Sequence, residues 1–216
     1  MKITSTRQQR RAVLTAAASL LLLPACTGIF KSNLPISQLY VLRPTWAAPT
    51  GGASAAAPAA GTVQVTLPLA AAGLATDSIV VLRSGGRLDY YRGARWAGAA
   101  PGMLQTLAID ALRTSNRFAM VESDAGPFPS DYVLSLELRH FEAEYTGAGA
   151  PTVHVALVCT LGRRGNRDLI ISFAADSQVI AGADRMQAVV AAFERATGEA
   201  LSQIAANISV PAAAKP

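Results

Sequence analysis

The sequence predicts an α+β domain in which a single mixed or mostly antiparallel sheet carries two helices packed on one face. Several stretches alternate between apolar and polar residues, which is the period of a half-buried strand. Two longer stretches repeat their apolar residues at helical spacing. The predicted order is β-β-β-β-α-β-β-β-β-α, and runs of strands separated by single helices favour one sheet with its helices on one side.

Four short strands are expected before the first helix. The stretch from Thr62 to Leu67 alternates strictly between polar and apolar residues. Gly85 and Gly86 predict a hairpin turn, because glycine tolerates the positive φ that such turns require. Trp96 follows the hairpin and is expected to cover one end of the core. The four predicted strands are 38–43 (ending before Pro44), 62–67, 79–82 and 88–91.

Two amphipathic helices are predicted. The first begins at Pro101 and Gly102 and runs to about Ser115. The second begins near Asp184 and ends before Pro211, with apolar residues recurring at i, i+3, i+4 and i+7. Its apolar stripe is narrow, which favours a helix packed on the core over an interfacial or partner-binding helix.

Four further strands are predicted between the two helices. The two longest, 132–145 and 152–161, are joined by a turn that carries Gly147, Gly149 and Pro151. Both alternate, so each has one apolar face. The predicted core-facing residues are Tyr132, Leu134, Leu136 and Leu138 on the first, and Val153, Val155, Leu157, Cys159 and Leu161 on the second. The other two predicted strands are 118–121 and 169–177.

The amino-terminal segment has the layout of a secretory signal peptide. Basic residues precede an apolar run over 12–25 that is too short to span a bilayer comfortably. The run leads into Leu-Pro-Ala-Cys, which resembles a bacterial lipobox, so Cys26 is expected to be acylated, with palmitate among its chains. The alternative is an ordinary signal peptide with a chance cysteine. The general secretory route is favoured over the twin-arginine route, which Arg10 and Arg11 fit loosely.

The expected processing sets the domain organisation and the location. Thr27 follows the cysteine, and no aspartate stands there to retain the protein in the inner membrane. By resemblance to sorted lipoproteins, this favours the periplasmic face of the outer membrane. The predicted segments are a signal peptide (1–25), a tether (26–37), a single domain (38–210) containing a flexible Ala/Pro/Gly loop (47–61), and a tail (211–216).

The net charge of +5 does not indicate a nucleic-acid partner. Four basic residues and no acidic residue precede Cys26, so the mature chain is nearly neutral. No block of like charge remains to follow a phosphate backbone. The cationic turn Arg163–Arg167 is expected to be a solvated loop, the alternative being a contact with lipid headgroups or an acidic partner.

The strongest candidates for catalysis or metal binding do not form a compact set in sequence. His154 and Cys159 are five residues apart on one predicted strand, so they lie on opposite faces and cannot form a nucleophile–base pair there. His140, Glu142 and Glu144 share a face but would spread along about 13 Å of strand. A metal site would need a bulge or outside ligands, so we expect a strand end that projects into water.

Glu137 and Asp168 complete the candidate residues. No nucleophile-elbow, Walker or dinucleotide-binding motif occurs. Once Cys26 is acylated, Cys159 has no disulfide partner and is interpreted as a small core residue. We therefore predict no catalytic residue, no cofactor and no metal.

Several fragments of the mature chain point to one family through their order and spacing. They are YVLRP at 40–44, VQV at 63–65, DSIVVLR at 77–83, LDYY at 88–91, Arg95-Trp96, and the leucine strand 134–141. Together with the final amphipathic helix, they span Tyr40 to Ile208. This arrangement resembles the ABC-type transport auxiliary lipoproteins of the paraquat-inducible protein C type.

The resemblance implies a lipid-anchored, non-enzymatic subunit that accompanies an ABC transporter and a periplasmic MCE-domain protein. Such systems move phospholipids or other hydrophobic molecules between the inner and outer membranes. The chain would be the subunit at the outer membrane, where it would dock the MCE-domain protein. A homo-oligomeric ring is one arrangement of its copies. Two alternatives stay open: an envelope assembly or scaffold lipoprotein, and a membrane-tethered periplasmic hydrolase.

Overall fold

The computed structural model describes residues 37–46 and 60–208. Several predicted features therefore lie outside the described residues and stay predictions. They are the signal peptide (1–25), Cys26, the tether up to residue 36, residues 47–59 of the predicted loop, and the tail (211–216).

The described residues form nine strands and two helices. The strands are β1 (Gln38–Tyr40), β2 (Ala60–Val65), β3 (Leu69–Ala70), β4 (Ser78–Arg83), β5 (Arg87–Trp96), β6 (Phe118–Ser123), β7 (Tyr132–Tyr145), β8 (Thr152–Arg163) and β9 (Leu169–Ile180). The helices are α1 (Ala100–Thr114), between β5 and β6, and α2 (Met186–Asn207), after β9.

All nine strands belong to one mixed sheet organised around β7. One edge of β7 pairs antiparallel with β8, which pairs antiparallel with β9. The other edge pairs in succession with β2, β3 and β4, all parallel to β7. Beyond them, β6 pairs with β2, β5 pairs with β4, and β1 pairs with β5. The predicted α+β class with a single mixed sheet is confirmed.

The two helices pack against the sheet, as predicted, and they also contact each other. α1 lies over β2 and β6, whereas α2 lies over β8 and β9. Pro101 stands in the first turn of α1, where its missing N–H costs no hydrogen bond. Neither helix in the described part of the chain is both long and apolar enough to cross a membrane.

Three aromatic side chains from different elements meet in the core beneath α2. Trp96 ends β5, Phe141 lies on β7 and Phe193 lies on α2, and each is almost completely buried. The ring centroid of Phe193 lies 5.1 Å from that of Trp96 and 5.0 Å from that of Phe141. Offset and edge-on contacts at these distances add to the free energy gained by burying large rings. The aromatic trio therefore joins α2 to β5 and to the central strand β7.

The segment after β1 crosses α2 at close range. Leu42 is buried in the core, and the backbone N–H of Arg43 donates a hydrogen bond to Glu194 Oε1 at 3.1 Å. Further along, the carbonyl oxygen of Thr45 lies against Gly198, where a Cβ atom would overlap it. Glycine is required there because the backbone of residues 41–46 occupies the space of a side chain.

The strand boundaries differ from the predicted ones where the pattern is weak or broken. β3 is only two residues long, which is too short to show an alternation. β5 continues to Trp96 rather than ending at Tyr91, and it passes through Gly93 at φ 71°. The glycine interrupts the apolar pattern without ending the strand. The turn at Gly85 and Gly86 has positive φ at both glycines, as predicted.

Candidate functional site

A β-bulge in β7 changes which face of the sheet its side chains occupy. The pairing with β8 shifts between Leu138 and His140, so that Arg139 is an extra residue on β7. Before the bulge the even-numbered residues are buried in the core, and after it the odd-numbered Phe141 and Ala143 are buried there. The bulge therefore turns the side chains of the following even-numbered residues to the face away from the helices.

These side chains form a cluster with a histidine from the neighbouring strand. Glu142 on β7 lies directly opposite His154 on β8. His140, Glu142, Glu144 and His154, which we call the His/Glu cluster, each offer one nitrogen or oxygen atom, and these atoms all lie within 4.8 Å of one another. Both histidines of the chain are in this cluster. The bulge and the outside ligand that a compact site requires are both present.

Hydrogen bonds join each histidine to a carboxylate of β7. His140 Nδ1 lies 2.6 Å from Glu142 Oε1, and His154 Nδ1 lies 3.1 Å from Glu144 Oε1. On the other side of its ring, His154 Nε2 lies 2.9 Å from Oδ2 of Asp176 on β9. The two imidazole rings stack with centroids 4.0 Å apart. Three adjacent strands thus contribute to one polar network.

The expectation that this strand end projects into water is wrong. The side chain of Glu142 is only 5% exposed, and that of His154 is 10% exposed. The reason is that β7 stays paired on both edges to its end, with β4 on one side and β8 on the other. The Glu142 carboxylate also accepts a hydrogen bond from the backbone N–H of Phe141 at 2.6 Å.

Burial and neighbouring carboxylates act in opposite directions on His154. Burial disfavours the charged ring and lowers its pKa, but hydrogen bonds and charges from Asp176 and Glu144 outweigh this effect. The net result is that the pKa of His154 is raised above its ordinary value. The carboxylates thus favour a positive charge at this position.

The other candidate residues are separated from the His/Glu cluster. Cys159 faces the core, on the opposite side of β8 from His154, as predicted. Burial raises the pKa of its thiol to about 12, so the thiol is unreactive at neutral pH. Glu137 forms an exposed ion pair with Arg139, and Asp168 accepts a hydrogen bond from Asn166 in the turn before β9. None of these three joins a nucleophile–base pair.

A second polar network, not anticipated from the sequence, joins β5 and β7 to the segment before α2. Tyr145 donates a hydrogen bond to Asp184 Oδ1 at 2.5 Å and lies 2.7 Å from the hydroxyl of Tyr91. Burial is the first cause that raises the pKa of both tyrosines. The guanidinium of Arg83 lies over the Tyr145 ring, 5.1 Å from its centroid. The network links β5, β7 and the segment before α2 through hydrogen bonds.

The cationic turn is exposed, but two of its arginines have partners within the chain. The Arg163 guanidinium lies over the ring of Tyr132 at 5.5 Å from its centroid. The Arg164 guanidinium donates hydrogen bonds to Ser130 Oγ, at 3.0 Å, and to the side-chain oxygen of Gln64. These contacts fix the turn to the loop before β7 and to β2.

The chain matches a known family of proteins. The model of a family described as "ABC-type transport auxiliary lipoprotein component" matches residues 40–205. That range includes strands β2 to β9, the last residue of β1 and nearly all of α2. It also includes the His/Glu cluster and the Tyr91–Tyr145–Asp184 network. No curated protein is significantly similar to the chain.

The chain is also similar to solved structures, one of them from Xanthomonas campestris. Protein XCC0632 of Xanthomonas campestris is 25% identical, with a TM-score of 0.70, and the match covers 78% of this chain and 93% of that one. An uncharacterised protein is 16% identical with a TM-score of 0.59, over 80% and 95% of the two chains. The PelC dodecamer of Paraburkholderia phytofirmans is 18% identical over 67% and 89%, and its TM-score of 0.39 is too low to bear on this chain.

Proposed function

Because the chain belongs to the family of ABC-type transport auxiliary lipoprotein components, we propose that it is the lipid-anchored, non-catalytic subunit of a system that moves phospholipids or other hydrophobic molecules between the inner and outer membranes. The match over residues 40–205 is the observation that carries this proposal. In the proposed arrangement the subunit lies at the outer membrane, faces the periplasm and docks an MCE-domain protein, with a ring of copies as one form of assembly.

The proposed anchor is the acylated thiol of Cys26. The short apolar run before it and the Leu-Pro-Ala-Cys sequence support cleavage and lipid attachment at that residue. Each buried CH₂ contributes about 0.8 kcal/mol, and stable attachment needs more than one chain. Thr27 in place of an aspartate supports sorting to the outer membrane.

The surroundings of Cys159 and of the two hydrogen-bonded tyrosines support a non-catalytic role. Cys159 is buried in the core on the face opposite His154, so the thiol has no histidine to act as its base. The Tyr91–Tyr145–Asp184 network holds tyrosines whose hydroxyls are hydrogen-bonded and whose pKa values are raised. In the proposed role, the sheet and helices form a scaffold that binds partners and does not catalyse a reaction.

Replacement of the anchor cysteine tests the membrane attachment. We expect Cys26→Ala, expressed with an ordinary cleavable signal peptide in place of residues 1–25, to move the protein from the membrane fraction to the soluble periplasmic fraction, because its acyl chains are lost. The matched control is Cys159→Ala, the same substitution at the buried cysteine, which should leave the protein in the membrane fraction. Recovery of the Cys26→Ala protein in the membrane fraction would show that another segment holds it there.

Co-purification tests the proposed partner. We expect the wild-type lipoprotein, extracted in mild detergent, to bring down an MCE-domain protein together with membrane lipid. Deletion of the lipoprotein should alter the lipid composition of the outer membrane. Recovery of the lipoprotein with other envelope proteins, without lipid and without a change in membrane composition on deletion, would instead support an assembly or scaffold role.

A further inference from the structure

We propose that the His/Glu cluster binds one divalent transition-metal ion of the Zn²⁺ class through His140, Glu142, Glu144 and His154. This site goes beyond the proposed transport role and does not depend on it. It would lie on the sheet face away from the helices and would cross-link β7 to β8.

The ligand atoms are already assembled at nearly the spacing that a zinc ion requires. Four-coordinate Zn²⁺ binds histidine nitrogen and carboxylate oxygen at about 2.0–2.2 Å, which places tetrahedral ligand atoms about 3.4 Å apart. In the cluster, one atom from each of the four side chains lies within 4.8 Å of the other three. The closest contacts, at 2.6 and 3.1 Å, are nitrogen–oxygen hydrogen bonds. An ion would take the place of the protons that these pairs share.

The charge of the cluster also favours a cation. Glu142 and Glu144 bring two carboxylates to one place, and the first of them is almost completely buried. No ion pair within residues 37–46 and 60–208 joins either carboxylate to an arginine; both face histidines instead. Burying a carboxylate is costly when its partner is a histidine, which is charged only if protonated. A divalent ion would neutralise both of them.

Asp176 supplies the outer contact that is typical of a metal-binding histidine. Its carboxylate lies 2.9 Å from His154 Nε2, so an N–H at that position donates outward. The lone pair of a neutral ring then lies on Nδ1, which faces Glu144. Carboxylate–histidine–metal arrangements of this kind fix the ring and increase its basicity as a ligand.

The paired backbone of β7 and β8 fixes the positions of the ligands, and the exposed side chain of His140 can move to admit the ion. Glu142 and His154 are cross-strand partners, and the bulge at Arg139 sets the side of the sheet on which the β7 ligands lie. The stacked rings lie nearly parallel, so one imidazole must turn about its Cβ–Cγ bond for both to bind one ion. His140 has the room to do so because its side chain is 43% exposed.

The donor set selects the class of ion. Two imidazole nitrogens and two carboxylate oxygens suit Zn²⁺ and its transition-metal neighbours, whereas Ca²⁺ and Mg²⁺ prefer shells made of oxygen. We therefore expect Zn²⁺ to bind and Ca²⁺ to be rejected at the same concentration.

Calorimetric titration of the full chain tests the site. The protein is purified in detergent with an affinity tag that lacks histidine, treated with a chelator and titrated with ZnCl₂ or CaCl₂. We expect one Zn²⁺ per chain and a rise in Tm of about 5–10 °C when free Zn²⁺ is ~100-fold above Kd. CaCl₂ should produce neither effect. Absence of saturable one-to-one Zn²⁺ binding would overturn the proposal.

Conservative variants separate this site from adventitious binding. Glu142→Gln and His154→Gln should each weaken Zn²⁺ binding by more than about 100-fold, and Asp176→Asn by about 10–100-fold. Glu137→Gln, on the same strand but outside the cluster, should bind like the wild type. Circular dichroism checks folding, and His140→Gln at the most exposed ligand serves if a buried variant fails to fold. Wild-type affinity in folded ligand variants would also overturn the proposal.

Discussion

Phe193→Ala is expected to lower the free energy of unfolding by about 3–5 kcal/mol. The side chain is fully buried and its ring lies against Trp96 and Phe141, 5.1 and 5.0 Å away between centroids. Truncation removes this buried area and leaves a cavity that the rigid strands carrying the other two rings cannot close. Urea unfolding of the soluble Cys26→Ala chain, followed by tryptophan fluorescence, measures the change.

The matched control for this change is Phe128→Ala. Phe128 is 57% exposed, so its truncation should change the free energy of unfolding by no more than about 0.5 kcal/mol. Equal losses from the two substitutions would contradict the packing of α2 on the sheet, because Phe193, unlike Phe128, lies on α2 and contacts Trp96 and Phe141.

Gly198→Ala is expected to destabilise the protein by about 1–3 kcal/mol. Alanine is the better helix former by about 1 kcal/mol, so helix propensity alone predicts the opposite sign. The new methyl group, however, would overlap the carbonyl oxygen of Thr45, which belongs to the backbone and cannot turn aside. Residues 41–46 would have to move away from α2, and the hydrogen bond from Arg43 to Glu194 would be lost with them.

Gly102→Ala is the corresponding control in α1. A Cβ atom built on Gly102 meets nothing within 4 Å, so alanine should be neutral or stabilise by up to about 1 kcal/mol. Both variants are measured by the same urea titration. A stabilising effect at both positions would mean that the chain after β1 does not lie against α2.

The fold could be predicted from the sequence because its long elements have clear periods. The alternation of β8 from Val153 to Leu161 and the helical stripe of α2 each extend over many residues. β3 escaped prediction because two residues carry no period. The parallel pairing of β2, β3 and β4 along one edge of β7 depends on contacts distant in sequence, which no local pattern specifies.

The His/Glu cluster was predicted only in part, although two signals for it are present in the sequence. The alternating apolar residues of β7 stand at even-numbered positions up to Leu138 and at odd-numbered positions, Phe141 and Ala143, after it. Such a shift in the alternation indicates a bulge. The glycine-rich turn after Tyr145 also sets the register of the hairpin, which brings His154 opposite Glu142. Asp176 could not be found in this way, because its position depends on the separate pairing of β9.

The crossing of residues 41–46 over α2 has a mechanical consequence. Under the proposed anchoring, any tension from the membrane enters the domain at β1, which holds β5 through only three residue pairs. We expect this short strand to be the first element to separate from the sheet under tension. Leu42 is buried in the core and Thr45 lies against Gly198, so these two residues hold the chain that follows β1. Tension on the tether should therefore separate β1 from β5 while the rest of the sheet stays intact.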